Sequence, residues 1–304
     1  MGPPEEEVPE GEILAGKYRA ERVLGAGGMG VVVRVRHLEN SQIFALKFLR
    51  PSVARDASAT TRFLREAQAA GRIESPHVVR IFDVGKLASG TPYLVMEYLE
   101  GTTLEARLAG GKSLPVSAAC DLAVQACEGL AAAHATGVIH RDIKPANLTL
   151  CPAESGADLL KILDFGVSKI LDESPGQGLT RTQTALGSPL YMSPEQMRSA
   201  RTADARADQW SLGAVIYRMA TGRLPFNAPS LPRVCVQVME GNFPAMASVC
   251  PDLPAEFVAA VERCLRVSPS ERHADVAELA EALAPFAGPD AGARAERCCA
   301  ILGR

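Results

Sequence analysis

His140-Arg141-Asp142-Ile143-Lys144-Pro145-Ala146-Asn147, followed after a short spacer by Asp164-Phe165-Gly166, is the stretch on which the reading of this chain turns. Two carboxylates, one amide and one lysine fall on two loops. The apolar runs around them, Leu148-Thr149-Leu150 and residues 159–163, are each short enough to be a strand and together predict a hairpin. A set of this kind suits chemistry in which the protein positions groups and neutralises charge.

Upstream, residues 18–24 and 31–36 alternate in polarity and flank Gly25-Ala26-Gly27-Gly28-Met29-Gly30. That is a strand, a glycine loop and a strand, not the strand-to-helix context of a dinucleotide fold. Glycines let a backbone approach phosphates closely and offer its N–H groups to them, although a plain glycine hairpin reads the same way. A third strand over 42–49 carries Lys47 within Phe44-Ala45-Leu46-Lys47-Phe48-Leu49. An ammonium inside an apolar run needs partners, unless the strand is an edge from which it reaches water. Residues 60–73 follow helical spacing with Glu66 among them, and residues 76–84 and 92–99 supply two more strands.

Downstream of Gly101 the period becomes helical. Val116, Cys120, Ala123, Val124, Cys127, Leu130, Ala131 and His134 share one face of a long helix. Residues 167–193 are polar with little to bury, and a loop of that length is functional or disordered. It closes on Gly187-Ser188-Pro189-Leu190-Tyr191-Met192-Ser193-Pro194-Glu195. From Asp204 a helix around Trp210, Val215 and Tyr217 is too apolar to be one-sided, which predicts burial nearly all round. Residues 231–239, 255–265 and 276–283 read as three closing helices.

With Lys144, Asn147 and the Asp-Phe-Gly in register behind Asp142, the chain resembles the eukaryotic-type (Hanks-type) serine/threonine protein kinases, most closely their bacterial branch. The resemblance covers about residues 17–285. It implies an α+β, two-lobed fold: a small five-stranded antiparallel β lobe with one main helix, over residues 17–99, and a larger, mostly α-helical lobe over 100–285. It implies transfer of the ATP γ-phosphate to protein Ser/Thr hydroxyls. By that resemblance Asp142 accepts or orients the hydroxyl proton, Lys144 sits by the moving phosphoryl group, and Asn147 and Asp164 hold Mg²⁺, with Mn²⁺ as the alternative. Lys47 binds the α and β phosphates and pairs with Glu66. Leu24, Gly25, Gly27, Gly28, Gly30, Val32 and Ala45 line the ATP site; Met96 backs the adenine, Glu97, Tyr98 and Leu99 form the hinge, and Thr149 is the floor.

The same resemblance gives Asp208 the bracing of the catalytic loop and pairs Arg272 with Glu195. It makes Thr180, Thr182 and Thr184 the candidate phosphorylation sites, with Arg141 as the cation that a loop phosphate neutralises. Lys144, two residues after Asp142, follows the serine/threonine pattern and not the tyrosine one. Ser188 stands where the family generally has threonine. Ala146 stands where kinases that prefer basic peptides carry glutamate, and Thr149 replaces an apolar residue. The rival readings are a non-catalytic nucleotide-binding scaffold and a small-molecule kinase. The intact set of Lys47, Asp142, Asn147 and Asp164 argues against the first, and the docking-like segment 188–195 against the second.

Composition sets the outer bounds. The chain has 304 residues, 47% hydrophobic and 22% charged, with a net charge of -3, which gives no reason to expect nucleic acid or an anionic membrane as partner. The eight cysteines form no Cys-x-x-Cys pair and read as reduced core residues of a soluble, cytoplasmic protein. No apolar run reads as long enough for a membrane span. Residues 1–16 read as a disordered acidic leader and 286–304 as a flexible tail. Protein substrates are the expected partners, with a homodimer for autophosphorylation.

Overall fold

The computed structural model describes residues 8–27, 30–153, 156–165, 189–199 and 203–304. They fall into two compact units, one all but complete by Glu100 and the other built from Ile73–Val78 and the described residues beyond Gly101. The class is α+β.

Period-two alternation builds the sheet of the first unit. Strands β1 (Ile13–Leu14), β2 (Tyr18–Ala26), β3 (Gly30–His37), β4 (Ile43–Leu49), β5 (Ile81–Lys86) and β6 (Pro92–Glu97) pair antiparallel in the order β1-β2-β3-β4-β6-β5. Val31, Val33 and Val35 of β3 meet Phe44, Leu46 and Phe48 of β4 in one apolar layer, together with Tyr93 and Val95 of β6. The residues between them therefore belong to the opposite face. Helix α1 (Pro51–Ala54) is one turn. Helix α2 (Ala57–Ala70) starts where the Asp56 carboxylate accepts the Ser58 N–H at 2.8 Å, and it buries Ala59, Phe63, Ala67 and Ala70 along one stripe.

The expected five strands are β2–β6; β1 is an addition, and it corrects the reading of residues 1–16 as a disordered leader. Leu14 pairs with Tyr18 and is buried beside it, while Gly11 N–H donates to the Ala20 carbonyl at 2.8 Å. The proline and glutamate content of the leader outweighs this one apolar anchor in any reading by composition. Residues 1–7 lie outside the described residues.

The second unit holds a three-stranded sheet of β7 (Thr102–Thr103), β8 (Leu148–Pro152) and β9 (Asp158–Ile162), in which β8–β9 is the predicted hairpin. Around it stand α3 (Leu104–Arg107), α4 (Val116–Ala135), α5 (Pro194–Arg198), α6 (Arg206–Thr221), α7 (Leu231–Glu240), α8 (Met246–Val249), α9 (Ala255–Cys264), α10 (Val276–Leu283) and α11 (Ala291–Leu302). Helix α6 is buried on nearly every side, as its composition requires. Its Gly213 lies where an added Cβ would stand 2.4 Å from the Cys264 Cβ, so glycine sets the closeness of α6 to α9.

Two expectations give way here. Helix α4 is long and apolar enough to cross a membrane by length and composition, contrary to the reading that no such run exists. Asp121 and Glu128 interrupt the run on paper, but twenty residues of helix tolerate two charges. In the structure α4 is a core helix, packed by α6, α10, α11 and β9. The second correction is the tail. Residues 291–302 form α11, which buries Ala291, Ala295 and Cys298 against α4 and α10. Arginine and glutamate are frequent enough in this helix to hide a narrow apolar stripe.

Charge fixes α11 as well. Glu128 is buried in the middle of α4, and Arg297 binds it with both nitrogens of its fork, at 2.8 and 3.0 Å. Burial works to raise the Glu128 pKa, and the Arg297 fork outweighs burial and holds the carboxyl below its ordinary value. A depressed carboxyl stabilises fully above its unfolded pKa and loses that contribution as pH falls through the folded one. The stability gap between the wild type and Glu128→Gln, measured by urea unfolding, should therefore be open at pH 7 and close as the pH falls below 4.5.

Candidate active site

The stretch 140–147 is shaped by one carboxylate that belongs to a different helix. Arg141 has φ 66° and Asp164 φ 59°, the left-handed region that non-glycine residues avoid at a cost of roughly 1–3 kcal/mol. Asp208, fully buried near the start of α6, accepts the backbone N–H groups of His140 at 2.9 Å and Arg141 at 2.6 Å, and the ring Nε2 of His134 at 2.8 Å. Burial raises the pKa of Asp208, yet the donors, His134 first, hold it below the ordinary value. The ion is thus kept charged in the core, and it holds the backbone of Arg141 in its unfavourable conformation.

His140 then ties the two loops together. Its Nε2 lies 2.7 Å from the Leu163 carbonyl and must donate to it, which leaves Nδ1 to accept the Asp142 N–H at 3.1 Å. The same ring meets Phe165 edge-on with centroids 4.6 Å apart. The side chains at the centre follow. Lys144 Nζ donates to the Asp142 carboxylate at 2.7 Å, and Asn147 Nδ2 donates to that carboxylate at 3.0 Å and to the Asp142 carbonyl at 2.8 Å. Leu163 N–H donates to the Asn147 carbonyl at 2.8 Å, so Asn147 also fastens the segment leading to Asp164. Asp142, Lys144 and Asn147 are therefore one hydrogen-bonded set. An amide oxygen and a carboxylate are hard donors that fit a Mg²⁺ ion completing its shell with phosphate and water, so Asn147 and Asp164 suit the ion expected there.

In the first unit the predicted nucleotide residues share the sheet face opposite the apolar layer. Strand register pairs Val32 with Lys47 and Lys47 with Leu94, and pairs Ala45 with Met96. Residues directly opposite in a ladder point to the same side. The structure thus brings Val32, Ala45, Lys47 and Met96 to one face, with Gly25 opposite Val32 at the hairpin end. Gly27 N–H donates to Gly30 at 2.9 Å, and Arg50 Nε holds the Gly27 carbonyl at 2.7 Å. A Cβ on Gly30 would stand 2.3 Å from the Phe48 carbonyl oxygen, so glycine is required there by close packing. Leu24 is exposed, Glu66 lies on α2, and the Glu97 carboxylate accepts the Arg80 N–H at 2.8 Å. Leu99 follows β6, and Thr149 of β8 is buried opposite Thr103. Gly28, Thr180, Thr182, Thr184 and Ser188 lie outside the described residues.

Glu195 and Arg272 meet across 77 residues in a two-pronged ion pair, at 2.7 and 2.9 Å. The remaining guanidinium hydrogens go to the carbonyls of Arg206, Val267 and Arg266, and the cation sits 5.0 Å from the Trp210 ring centroid. All five donors are used. Burial raises the Glu195 pKa, and Arg272 brings it below the usual carboxylate range.

Three functional neighbours escape a reading of the sequence. His134 was one more member of an apolar helix face until Asp208 gave it a partner. Gln196, the third residue of α5, completes a capping box with Ser193 and donates to the Arg141 carbonyl at 3.0 Å, joining α5 to the 140–147 loop. Arg218 grips Glu105 with two bonds, at 2.7 and 2.8 Å, and donates to the Tyr191 hydroxyl at 2.7 Å. Lys144, Tyr191, Arg218, Arg223 and Glu105 line a cavity of about 780 Å³. No short motif announces it, since its walls come from five separated segments.

These features define a class in which one rigid loop carries a carboxylate, a lysine and an amide. The chain belongs to the protein kinase family: the protein kinase domain model matches residues 18–283. It is 36% identical to the serine/threonine-protein kinase pkn3 of Myxococcus xanthus over 283 residues, 93% of this chain and 51% of that protein. It is likewise 36% identical to the serine/threonine-protein kinase PknB of Mycobacterium tuberculosis, over 88% of this chain and 42% of that protein. The chain thus spans about half the length, or less, of these curated relatives. Among solved structures it is similar to the kinase domain of Mycobacterium tuberculosis PknI, with a TM-score of 0.71 and 28% identity over 92% of this chain and 99% of that one.

Removing one partner of a buried pair leaves an uncompensated charge, so Arg272→Ala should destabilise the protein by roughly 3–5 kcal/mol. Replacing both partners together should cost less than the single change. Chemical denaturation of the two single variants and the double variant reads both effects.

Proposed function

We propose that this chain is an ATP-dependent serine/threonine protein kinase, with residues 17–285 as its catalytic domain. The observation that carries the reading is the Asp142 carboxylate held by Lys144 and Asn147, on a loop pinned by Asp208. In this reading Asp142 orients the acceptor hydroxyl and takes its proton as the oxygen–phosphorus bond to the γ-phosphoryl group forms. The bond from that group to the β-phosphate oxygen breaks, and ADP leaves. Lys144, already at the carboxylate, offsets negative charge on the transferring group. Lys47, paired with Glu66, holds the α and β phosphates. Gly25, Gly27, Gly28 and Gly30 cover the phosphates, and Leu24, Val32, Ala45, Met96, Glu97, Leu99 and Thr149 receive the adenosine. Mg²⁺, or Mn²⁺ in its place, bound by Asn147 and Asp164 would draw charge from the phosphates. The eight free thiols fit a reducing, cytoplasmic setting. Acceptors are protein Ser/Thr residues, a second copy of the chain included.

Activity in this reading is switched by phosphorylation of the segment between Asp164 and Glu195. Arg141 supports it: its Nε is buried without a hydrogen-bond partner among the described residues. A phosphate brings a charge of about -1.5 to -2 and three strong acceptor oxygens, which suit such a guanidinium. Thr180, Thr182 and Thr184 are the candidates.

The test of the reading is incubation with labelled ATP, Mg²⁺ and a generic protein acceptor, followed by phosphosite mapping. Asp142→Asn should lose on the order of 10² to 10⁴ in transfer rate while nucleotide binding by calorimetry stays near wild type. Wild-type transfer by that variant would remove Asp142 from the mechanism, and a wild-type chain that binds nucleotide without transferring phosphate would be a scaffold. For the switch, phosphatase treatment should depress activity, and the combined Thr180→Ala and Thr182→Ala variant should begin at that depressed level. Full activity in the unphosphorylated double variant would refute control by this loop.

A further inference from the structure

Helix α11 begins beyond residue 283, where the family match ends, yet one of its arginines binds His77, which in turn bonds the strand ahead of the candidate metal ligand. Arg297 holds Glu128 of α4 with its fork. One turn earlier, Arg294 Nη1 donates to His77 Nε2 at 2.9 Å and lies 3.6 Å from the Glu128 carboxylate. Since Nε2 accepts there, the hydrogen of this fully buried ring is on Nδ1, which donates to the Leu160 carbonyl at 3.0 Å. The His77 backbone continues the contact: its carbonyl accepts the Ile162 N–H at 2.9 Å, and Val78 bridges Ile162 in parallel.

Strand β9 is thereby held from both sides of the hairpin register. Gln125 of α4 takes the Leu160 N–H at 2.9 Å and donates to the Asp158 carbonyl at 3.1 Å. Gly129 of α4 makes room, because a Cβ there would stand 2.9 Å from Ile162 Cδ1 and 3.1 Å from the His77 carbonyl. β9 ends at Ile162, two residues before Asp164, whose backbone is left-handed. A side chain of α11 is thus two hydrogen bonds from the Leu160 carbonyl.

We infer that Arg294 and His77 are positioning residues for Asp164, through which α11 sets the order of β9 and of the loop that follows it. The inference rests on the kinase reading only for what that loop holds. Helix α11 is then a strut of the nucleotide-dependent chemistry and not merely a patch over Cys298.

Hydrogen exchange followed by mass spectrometry on the full chain, with and without Mg²⁺ and a non-hydrolysable ATP analogue, tests this. In Arg294→Ala the amides of residues 160–163 should exchange roughly tenfold faster than in the wild type, and analogue with Mg²⁺ should protect them less. The KM for Mg²⁺·ATP should rise about threefold or more while kcat at saturation stays within about twofold, the pattern of weakened binding without altered chemistry. Arg294→Lys, which keeps a donor for His77, should recover part of both effects. Arg304→Ala, which removes an exposed contact of the α11 end with Asp275, should change neither. Wild-type exchange at 160–163 in both Arg294→Ala and His77→Ala, with faster exchange confined to α11, would overturn the proposal and reduce the helix to a stability element. A wild-type chain that transfers no phosphate would sink the kinase reading instead, and the exchange comparison would still decide the role of Arg294.

Discussion

The candidate catalytic loop depends on the charge of Asp208. A buried carboxylate is costly unless donors surround it, and here two of the three donors are the backbone N–H groups of His140 and Arg141. The bond that stabilises the ion is the same one that fixes the backbone ahead of Asp142. An unpaired Asp208 would be expelled or protonated, and a free 140–142 segment would leave the left-handed conformation at Arg141. Each removes the reason for the other to be strained, so the loop and the start of α6 form one cooperative element. His140 extends that element to Leu163 and Phe165, and Gln196 extends it to α5.

This explains why so much of the site was legible in the sequence and why particular parts were not. Asp142, Lys144 and Asn147 lie within six residues, so local spacing alone brings them together once a loop is assumed. The face of the β sheet was legible for a similar reason: alternation at Ala45 and Lys47 against Phe44, Leu46 and Phe48 sorts the strand before any partner is known. What could not be read was the long-range pairing of polar groups whose patterns look ordinary. His134 sat in a helical apolar stripe, Gln196 just past the close of a polar loop, and Arg218 in the last turn of a core helix. Their partners are 55 to 113 residues away, and periodicity carries no information about such pairs.

The misread parts of the two ends, among the described residues 8–16 and 291–302, have the same origin. Disorder at 1–16 and 286–304 follows from composition averaged over a window, and averaging hides one or two anchors. Leu14 against Tyr18 is enough to seat a two-residue strand on a sheet whose edge would otherwise be open. In α11, three small buried residues supply the stripe, but the decisive groups are Arg294 and Arg297, residues that a hydropathy reading assigns to solvent. Their guanidinium groups reach Glu128 and His77.

Three ionic pairs of the second unit share a logic that bears on register as well as on stability. Asp208 with His134, Glu195 with Arg272, and Glu128 with Arg297 each join segments far apart in sequence, and each is satisfied on nearly every polar atom. Apolar replacements of equal volume would fill the same space at similar or lower free energy. They would not select one register, because apolar contacts are non-directional and tolerate sliding. A two-pronged carboxylate–guanidinium bond has one geometry, and a one-residue slip in α11 or α5 would leave a buried charge alone. The three pairs therefore act as register pins: one on the loop that carries Asp142, one at the base of α5, and one behind the strand that leads to Asp164. Positioning to a fraction of an ångström is what the proposed transfer chemistry would require, and the pins stand at three places where a sliding core would disturb the candidate site.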